Sequence, residues 1–217
     1  MNIKYLGHAS FLIKTKSARV VCDPYSPSIG LKFPKIEADI VTLSHDHSDH
    51  NDTSAVTGDP LLINWPGEFE KQGVRVFGFT TYHDDKQGAE RGENTVYKFE
   101  AEDIAVLHLG DLGAEIESET LDKIGNVDIL LVPTGGFYTI DPEQAARVVK
   151  QVEPSIVIPM HYRTEAHNVE HFGKLSTVDE FLKKMGADGV EPVDDLTIKK
   201  EDIEDGIRVV VMNPANK

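Results

Sequence analysis

Residues 45–50 read His-Asp-His-Ser-Asp-His, three imidazoles and two carboxylates in one short stretch. Imidazole suits zinc, iron and other transition metals, and carboxylate adds hard oxygen ligands and negative charge. His45 and His47 are two apart, so in an extended segment both point to the same side and can grip one ion. Asp49 and His50 follow where the chain must turn, because the next residues read as a helix start capped by Asn51 or Asp52. They can face a second ion beside the first. Burying so many ligand groups without an ion would be costly, so the alternative is an exposed polar loop.

Further ligand-type residues stand at the ends of strand patterns. DIVTLS runs into His45, VRVFGFTTY into His83, DIAVLHL through Gly110 into Asp111, and SIVIPM into His161. In layered α/β proteins, sites form from loops at one end of the strands. Four strands each delivering a His or Asp at that end could surround one crevice.

The elements that must position them divide in two. NIKYL, SFLIK, ARVVC, DIVTLS, PLLIN and VRVFGFTTY are short and rich in β-branched and aromatic residues, and they are bounded by Gly, Pro, Asp or Asn. NTVYKFE and DIAVLHL read as a hairpin. Strand–helix alternation then begins. IESETLDKIG is helical and ends at glycine, and DILLV is a strand buried on both faces. DPEQAARVVKQV is a helix with Asp141 as N-cap and Pro142 at its first position. SIVIPM is another buried strand, STVDEFLKKMG a helix capped by Ser176 and closed by Gly186, and IRVVVMNP a last strand. This order implies two facing sheets with helices outside. Residues 26–38 and 84–93 read as loops, the second as a solvated, mobile segment that could cap a cleft.

The 217 residues fit one domain, 1–217, and no linker or repeat divides them. A net charge of -15 disfavours nucleic acid and anionic membranes as partners. A small-molecule substrate is expected. An anionic one stays open, since bound cations can invert the field inside a site. The single cysteine, Cys22, cannot form an intrachain disulfide and reads as core packing in a reducing compartment. No signal-peptide pattern or membrane-length apolar run is present, so a cytoplasmic location is expected.

Taken together, the hexapeptide and the other strand ends resemble the metallo-β-lactamase superfamily. His45-x-His47-x-Asp49-His50 resembles its signature, and His83 in TTYHDD, Asp111 in HLGDLG and His161 in IPMHY follow in order. GHASFLI, WPGEFE, HLGD, LLVPTGG and IPMHY are similar to a small single-domain branch of Zn-dependent hydrolases related to ascorbate-6-phosphate lactonases. The resemblance implies a four-layer αββα sandwich. It implies two divalent metals, zinc first and manganese or iron as alternatives. His45, His47 and His83 would hold one ion, Asp49, His50 and His161 the other, and Asp111 would bridge them. His47 stands where di-iron redox members carry glutamate. The implied reaction is hydrolysis of a lactone, other ester or phosphodiester by a metal-bridging hydroxide, with Asp49 handling the proton.

Other residues carry weaker signals. His108, three before Asp111, is a candidate acid facing the site or a hydrogen-bonded core histidine. His8 and Asp23 read as supports for the metal loop. His167 and His171, four apart, read as one solvated helix face, with a third metal site as the alternative. Gly135-Gly136 would let backbone pass close to the site, and Trp65 and Phe69 could wall a pocket or pack in the core. Two other functions compete with a metabolite hydrolase. A superfamily nuclease predicts a basic track, which this acidic chain does not carry. A metal-binding protein without turnover predicts metal but no hydrolysis.

Overall fold

A computed structural model describes residues 1–215. In chain order the elements are β1 (Asn2–Gly7), β2 (Ser10–Lys14), β3 (Arg19–Cys22), β4 (Ile36–Glu37), β5 (Ile40–Thr42), β6 (Val56–Thr57), β7 (Leu61–Ile63), β8 (Gly67–Lys71), β9 (Val74–Tyr82), β10 (Glu93–Ala101) and β11 (Ile104–His108). Then come α1 (Ser118–Ile124), β12 (Ile129–Pro133), α2 (Pro142–Val152), β13 (Ile156–Met160), α3 (Val169–Phe172), α4 (Val178–Met185), β14 (Leu196–Thr197) and β15 (Arg208–Val209).

Two mixed sheets face each other. One has the order β14-β1-β2-β3-β5-β7 and the other β15-β13-β12-β11-β10-β9-β8. Strand alternation builds the layer between them. Tyr5, Phe11, Ile13, Val20 and Ile40 from the first sheet meet Val76, Tyr97, Phe99, Val106, Ile129 and Ile158 from the second. The opposite face of the second sheet sends Val96, Leu107, Leu130 and Val157 against Ile124, Val148, Val149 and Phe181 of α1, α2 and α4. The predicted αββα order holds there.

The other outer face is thinner than the sequence reading implies. Leu6, Leu12, Val21 and Val41 are covered by Tyr25, Ile29, Leu31 and Phe33 of an irregular segment and by Phe172 of the four-residue α3. Among the described residues no α-helix precedes Ser118. Asp141 and Pro142 start α2 as expected, with a reciprocal Asp141–Gln144 capping box. The α4 cap is Thr177, not Ser176, whose hydroxyl instead donates to Glu180 Oε2 at 3.0 Å. The last strand is only Arg208–Val209, because beyond it only the Val193–Met212 bridge continues the pairing. No helix of the described residues is long and apolar enough to cross a membrane.

Candidate metal centre

The strand ends expected to meet do meet. After β5 the backbone stays extended through Leu43, whose N–H donates to Ile63 O at 2.9 Å. It then enters the 45–50 loop. That loop is closed by a His50 N–H to His47 O bond of 2.9 Å and tied to the segment after β3 through Ser26 N–H to Ser48 O at 3.0 Å. Gly110 delivers Asp111 in a left-handed turn (φ 53°), where a Cβ would lie 2.4 Å from Asn94 Oδ1 and 2.5 Å from Ser44 Cβ. Only glycine fits that gap. Buried Asn94 then accepts the Asp111 N–H at 2.9 Å. Gly135 does allow backbone to pass close to the site, since a Cβ there would lie 2.1 Å from His161 O.

Asp111 is the centre of the cluster. Its Oδ2 lies 3.3 Å from His161 Nε2, 3.4 Å from His83 Nε2 and 3.9 Å from His45 Nε2, and its Oδ1 lies 3.3 Å from His50 Nε2. His47 joins His45 and His83 with ligand atoms within 4.8 Å of one another, and Asp49, His50 and His161 form a second such group. All seven residues expected as ligands converge, together with His8.

The hydrogen bonds around the cluster decide which imidazole nitrogens are free. Ser44 Oγ donates to Asp23 Oδ2 at 2.5 Å and therefore accepts from His45 Nδ1 at 2.9 Å. His50 Nδ1 donates to the same Asp23 oxygen at 2.9 Å. Both rings thus turn Nε2 towards Asp111, the nitrogen that a neutral imidazole would offer to an ion. His45 Nε2, His50 Nε2, both His161 nitrogens, His83 Nδ1 and Asp111 Oδ1 are buried with no hydrogen-bond partner. Buried polar atoms are rarely left so. A carboxylate-anchored imidazole with its far nitrogen free is the arrangement that metal-binding histidines use. This donor set fits divalent transition metals.

The bare cluster is strongly polarised. Burial works against charge on Asp111, but the neighbouring His161 and His50 outweigh it and hold its carboxyl well below the usual range. Burial likewise opposes charge on His50, yet Asp111 and Asp49 push its pKa well above 6.5. Burial and then His50 bring His45 down to about 3. Asp23 is held low by His50, His108 and Ser44 in spite of burial.

A cavity of about 350 Å³ opens over the cluster, lined by His47, Asp49, His83 and Asp111 on one side and by Tyr138, Phe172 and Arg91 on the other. Among the described residues, Arg91 is the only lysine or arginine in that lining. The 84–93 loop that carries it is tied down: the Asp84 carboxylate accepts the N–H groups of Lys86, Gly88, Glu90 and Arg91 at 2.7–2.9 Å. The Arg91 guanidinium lies 5.7 Å from the Tyr138 ring centre and donates to Phe137 O at 3.3 Å.

Some expectations need correction. His108 is not an acid facing the site. Strand alternation puts it on the same side as Ile104 and Val106, in the layer between the sheets, where its Nε2 donates to Ala9 O at 2.7 Å and its Nδ1 accepts from Gly110 N–H at 3.2 Å. His167 is not solvated. It is 4% exposed and precedes α3, so it shares no helix face with His171. Trp65 and Phe69 contact each other, and neither lines the cavity over Asp111. Asp23 and His8 do reach the site. Ser44, Asn94 and Arg91 were missed, because Ser44 reaches Asp23, Asn94 reaches Asp111 and Arg91 reaches Phe137 only once the chain is folded.

A family model for the beta-lactamase superfamily domain matches residues 2–161. The chain belongs to the metallo-β-lactamase superfamily. It is 30% identical over 206 residues to a UPF0173 metal-dependent hydrolase of Thermococcus onnurineus, covering 81% of this chain and 92% of that one. It is 35% identical, with a TM-score of 0.79, to the crystal structure of a Thermotoga maritima chain assigned as a Zn-dependent hydrolase of the metallo-β-lactamase superfamily, over 98% of this chain and 99% of that one. CmlA, a diiron β-hydroxylase of Streptomyces venezuelae, shares the fold at 13% identity and a TM-score of 0.63, over 91% of this chain and 54% of that one. At the level the relatives share, this metallo-β-lactamase-fold chain is a metal-dependent hydrolase.

Proposed function

We propose that the protein is a dinuclear hydrolase that cleaves a lactone, another ester or a phosphodiester in a small anionic metabolite. The observation that carries this reading is the set of partnerless, buried ligand atoms gathered around Asp111. In it, His45, His47 and His83 would hold one divalent ion, Asp49, His50 and His161 would hold the other, and Asp111 would serve both. Zinc is the first choice for these donors. Bound there, the two cations supply a Lewis acid for the scissile group and make water acidic enough to attack at neutral pH.

The chain's own residues do the rest. Asp49 borders the cavity, and its carboxyl is held low by His50 and His8 although burial opposes this. It is ionised and placed to take the proton of an attacking water and pass it to the leaving group. Tyr138 and Phe172 give the cavity an aromatic wall. Arg91 receives an anionic end of the substrate, in a position fixed by the Asp84 loop.

The test is a screen of lactones, carboxylic esters and phosphodiesters with zinc- or manganese-loaded protein, run beside Asp111→Asn. Turnover of one class that the variant loses while keeping its fold supports the reading. An unchanged rate in Asp111→Asn would sink the bridging assignment.

A further inference from the structure

We propose that His8 and His167 form a directional hydrogen-bond chain that positions Asp49, and that neither is a metal ligand. The inference rests on Asp49 being a ligand, as in the reading above. The chain begins at a donor whose direction is fixed. The backbone N–H of Thr164 donates to His167 Nδ1 at 3.1 Å. That nitrogen must carry a lone pair, so the proton of the neutral ring sits on Nε2. His167 Nε2 faces His8 Nδ1 at 3.2 Å and donates to it. His8 Nδ1 is then the acceptor, and the His8 proton sits on Nε2, 3.2 Å from Asp49 Oδ2. One backbone donor therefore fixes two tautomers and delivers a hydrogen bond to one Asp49 oxygen. The other oxygen keeps its lone pairs for an ion or a water.

His8 also lies within ligand distance of Asp49, His50 and His161, so it could itself be read as a ligand. The hydrogen bonds separate the two roles. His45, His50, His83 and His161 each present a buried nitrogen without a partner, whereas both nitrogens of His8 are engaged. The His8 backbone is fixed as well. It adopts a left-handed conformation (φ 56°), and its carbonyl accepts from Tyr5 Oη and from His161 N–H, both at 2.7 Å. A non-glycine residue held there marks a position the surrounding structure enforces.

Phe172 completes the chain's surroundings. Its ring centre lies 5.1 Å from His8 and 5.4 Å from His167. It lines both the cavity over Asp111 and a second cavity of about 530 Å³ bordered by Thr164 and His167. His167 borders the second cavity and Asp49 the first, and His8 links them. The turn at residues 163–167, which follows His161 directly but is far in sequence from Asp49, governs how Asp49 is held.

The test combines two measurements on the full chain. Nitrogen NMR of the metal-free protein should show His8 and His167 as neutral rings protonated at Nε2. Protonation of either at Nδ1 would overturn the chain whether or not metal binds, so its failure can be told from failure of the hydrolase reading. Zinc affinity is then measured by chelator competition, with thermal melts checking the fold. His167→Ala should still bind the wild-type number of ions, with the weaker one bound about 10–100-fold less tightly, as for other partners of metal ligands. His167→Gln, whose amide can both accept from Thr164 and donate to His8, should recover most of that loss. Wild-type affinity in His167→Ala, or equal losses in the Ala and Gln variants, would leave only a packing role and overturn the proposal. Loss of one whole equivalent of zinc in His8→Gln would make His8 a ligand and overturn it too.

Discussion

Two supports hold the 45–50 loop, and they differ in charge. On one side Asp23, fully buried, accepts Ser44 N–H at 2.8 Å, Ser44 Oγ at 2.5 Å and His50 Nδ1 at 2.9 Å. On the other side Asp49 is met by His8, backed by His167. Imidazole ligands are neutral and gain basicity from a carboxylate behind them, so a buried anion suits His45 and His50. A carboxylate ligand already brings charge. A neutral donor aligns Asp49 without neutralising it. The difference teaches that the support opposes the ligand in electrostatic character, and each side can be broken separately.

The largest effect is expected on the Asp23 side. Asp23→Ala strands His50 Nδ1 and Ser44 in a dry interior and frees the His45 ring. It should destabilise the metal-free protein by about 3 kcal/mol in urea melts, within the range for breaking a buried charged partnership. It should also weaken zinc more than His167→Ala does. Equal effects of the two substitutions would remove the distinction between the sides.

The second effect is the share of the pH dependence that the neutral side contributes. Burial and then His161 lower His8 to about 3 and His167 to about 4, from 6.5. Between those values and 6.5 the unfolded chain binds more protons than the folded one. The stabilisation from keeping these rings neutral is present above pH 6.5 and is lost as pH falls towards 4. Each ring should cost the metal-free protein about 2 kcal/mol between pH 7 and pH 5. Urea melts at the two pH values should show a smaller drop in the His8→Gln/His167→Gln double variant. An equal drop would show that these rings are not held neutral.

The smallest effect concerns the far wall of the cavity, where neither support acts. Arg91→Ala should raise KM for an anionic substrate by about tenfold, the scale of one charged hydrogen bond, with little change in kcat. KM for a neutral ester should not move. Equal shifts for both would assign Arg91 to loop structure and not to recognition.

Much of the first support was readable in the sequence, and of the second His8 but not the role of His167. The 45–50 hexapeptide and the strands ending at His83, Asp111 and His161 combine local patterning with ligand chemistry, so the sheet edge and the convergence followed from short stretches. Asp23 follows β3 directly, and β3 pairs with β5, which carries the loop. His8 and His167 are 159 positions apart and meet only because the turn after β13 packs on the β1–β2 turn. Spacing misled at His167, because Asn168 caps α3 and leaves His167 outside the helix. At His108 the alternation of Ile104 and Val106 already carried the answer: a residue in step with a buried face belongs to the core. The thin layer over the first sheet escaped detection because irregular chain can cover apolar strands without any periodicity.

The most direct measurement is metal content per chain, by mass spectrometry, on protein purified without chelator or affinity-tag nickel. A dinuclear centre gives about two ions per chain, with the number falling in Asp111→Asn and His50→Ala while the fold is retained. Protein that takes up no metal, even after incubation with zinc or manganese, would contradict the dinuclear centre and the hydrolysis proposed for it.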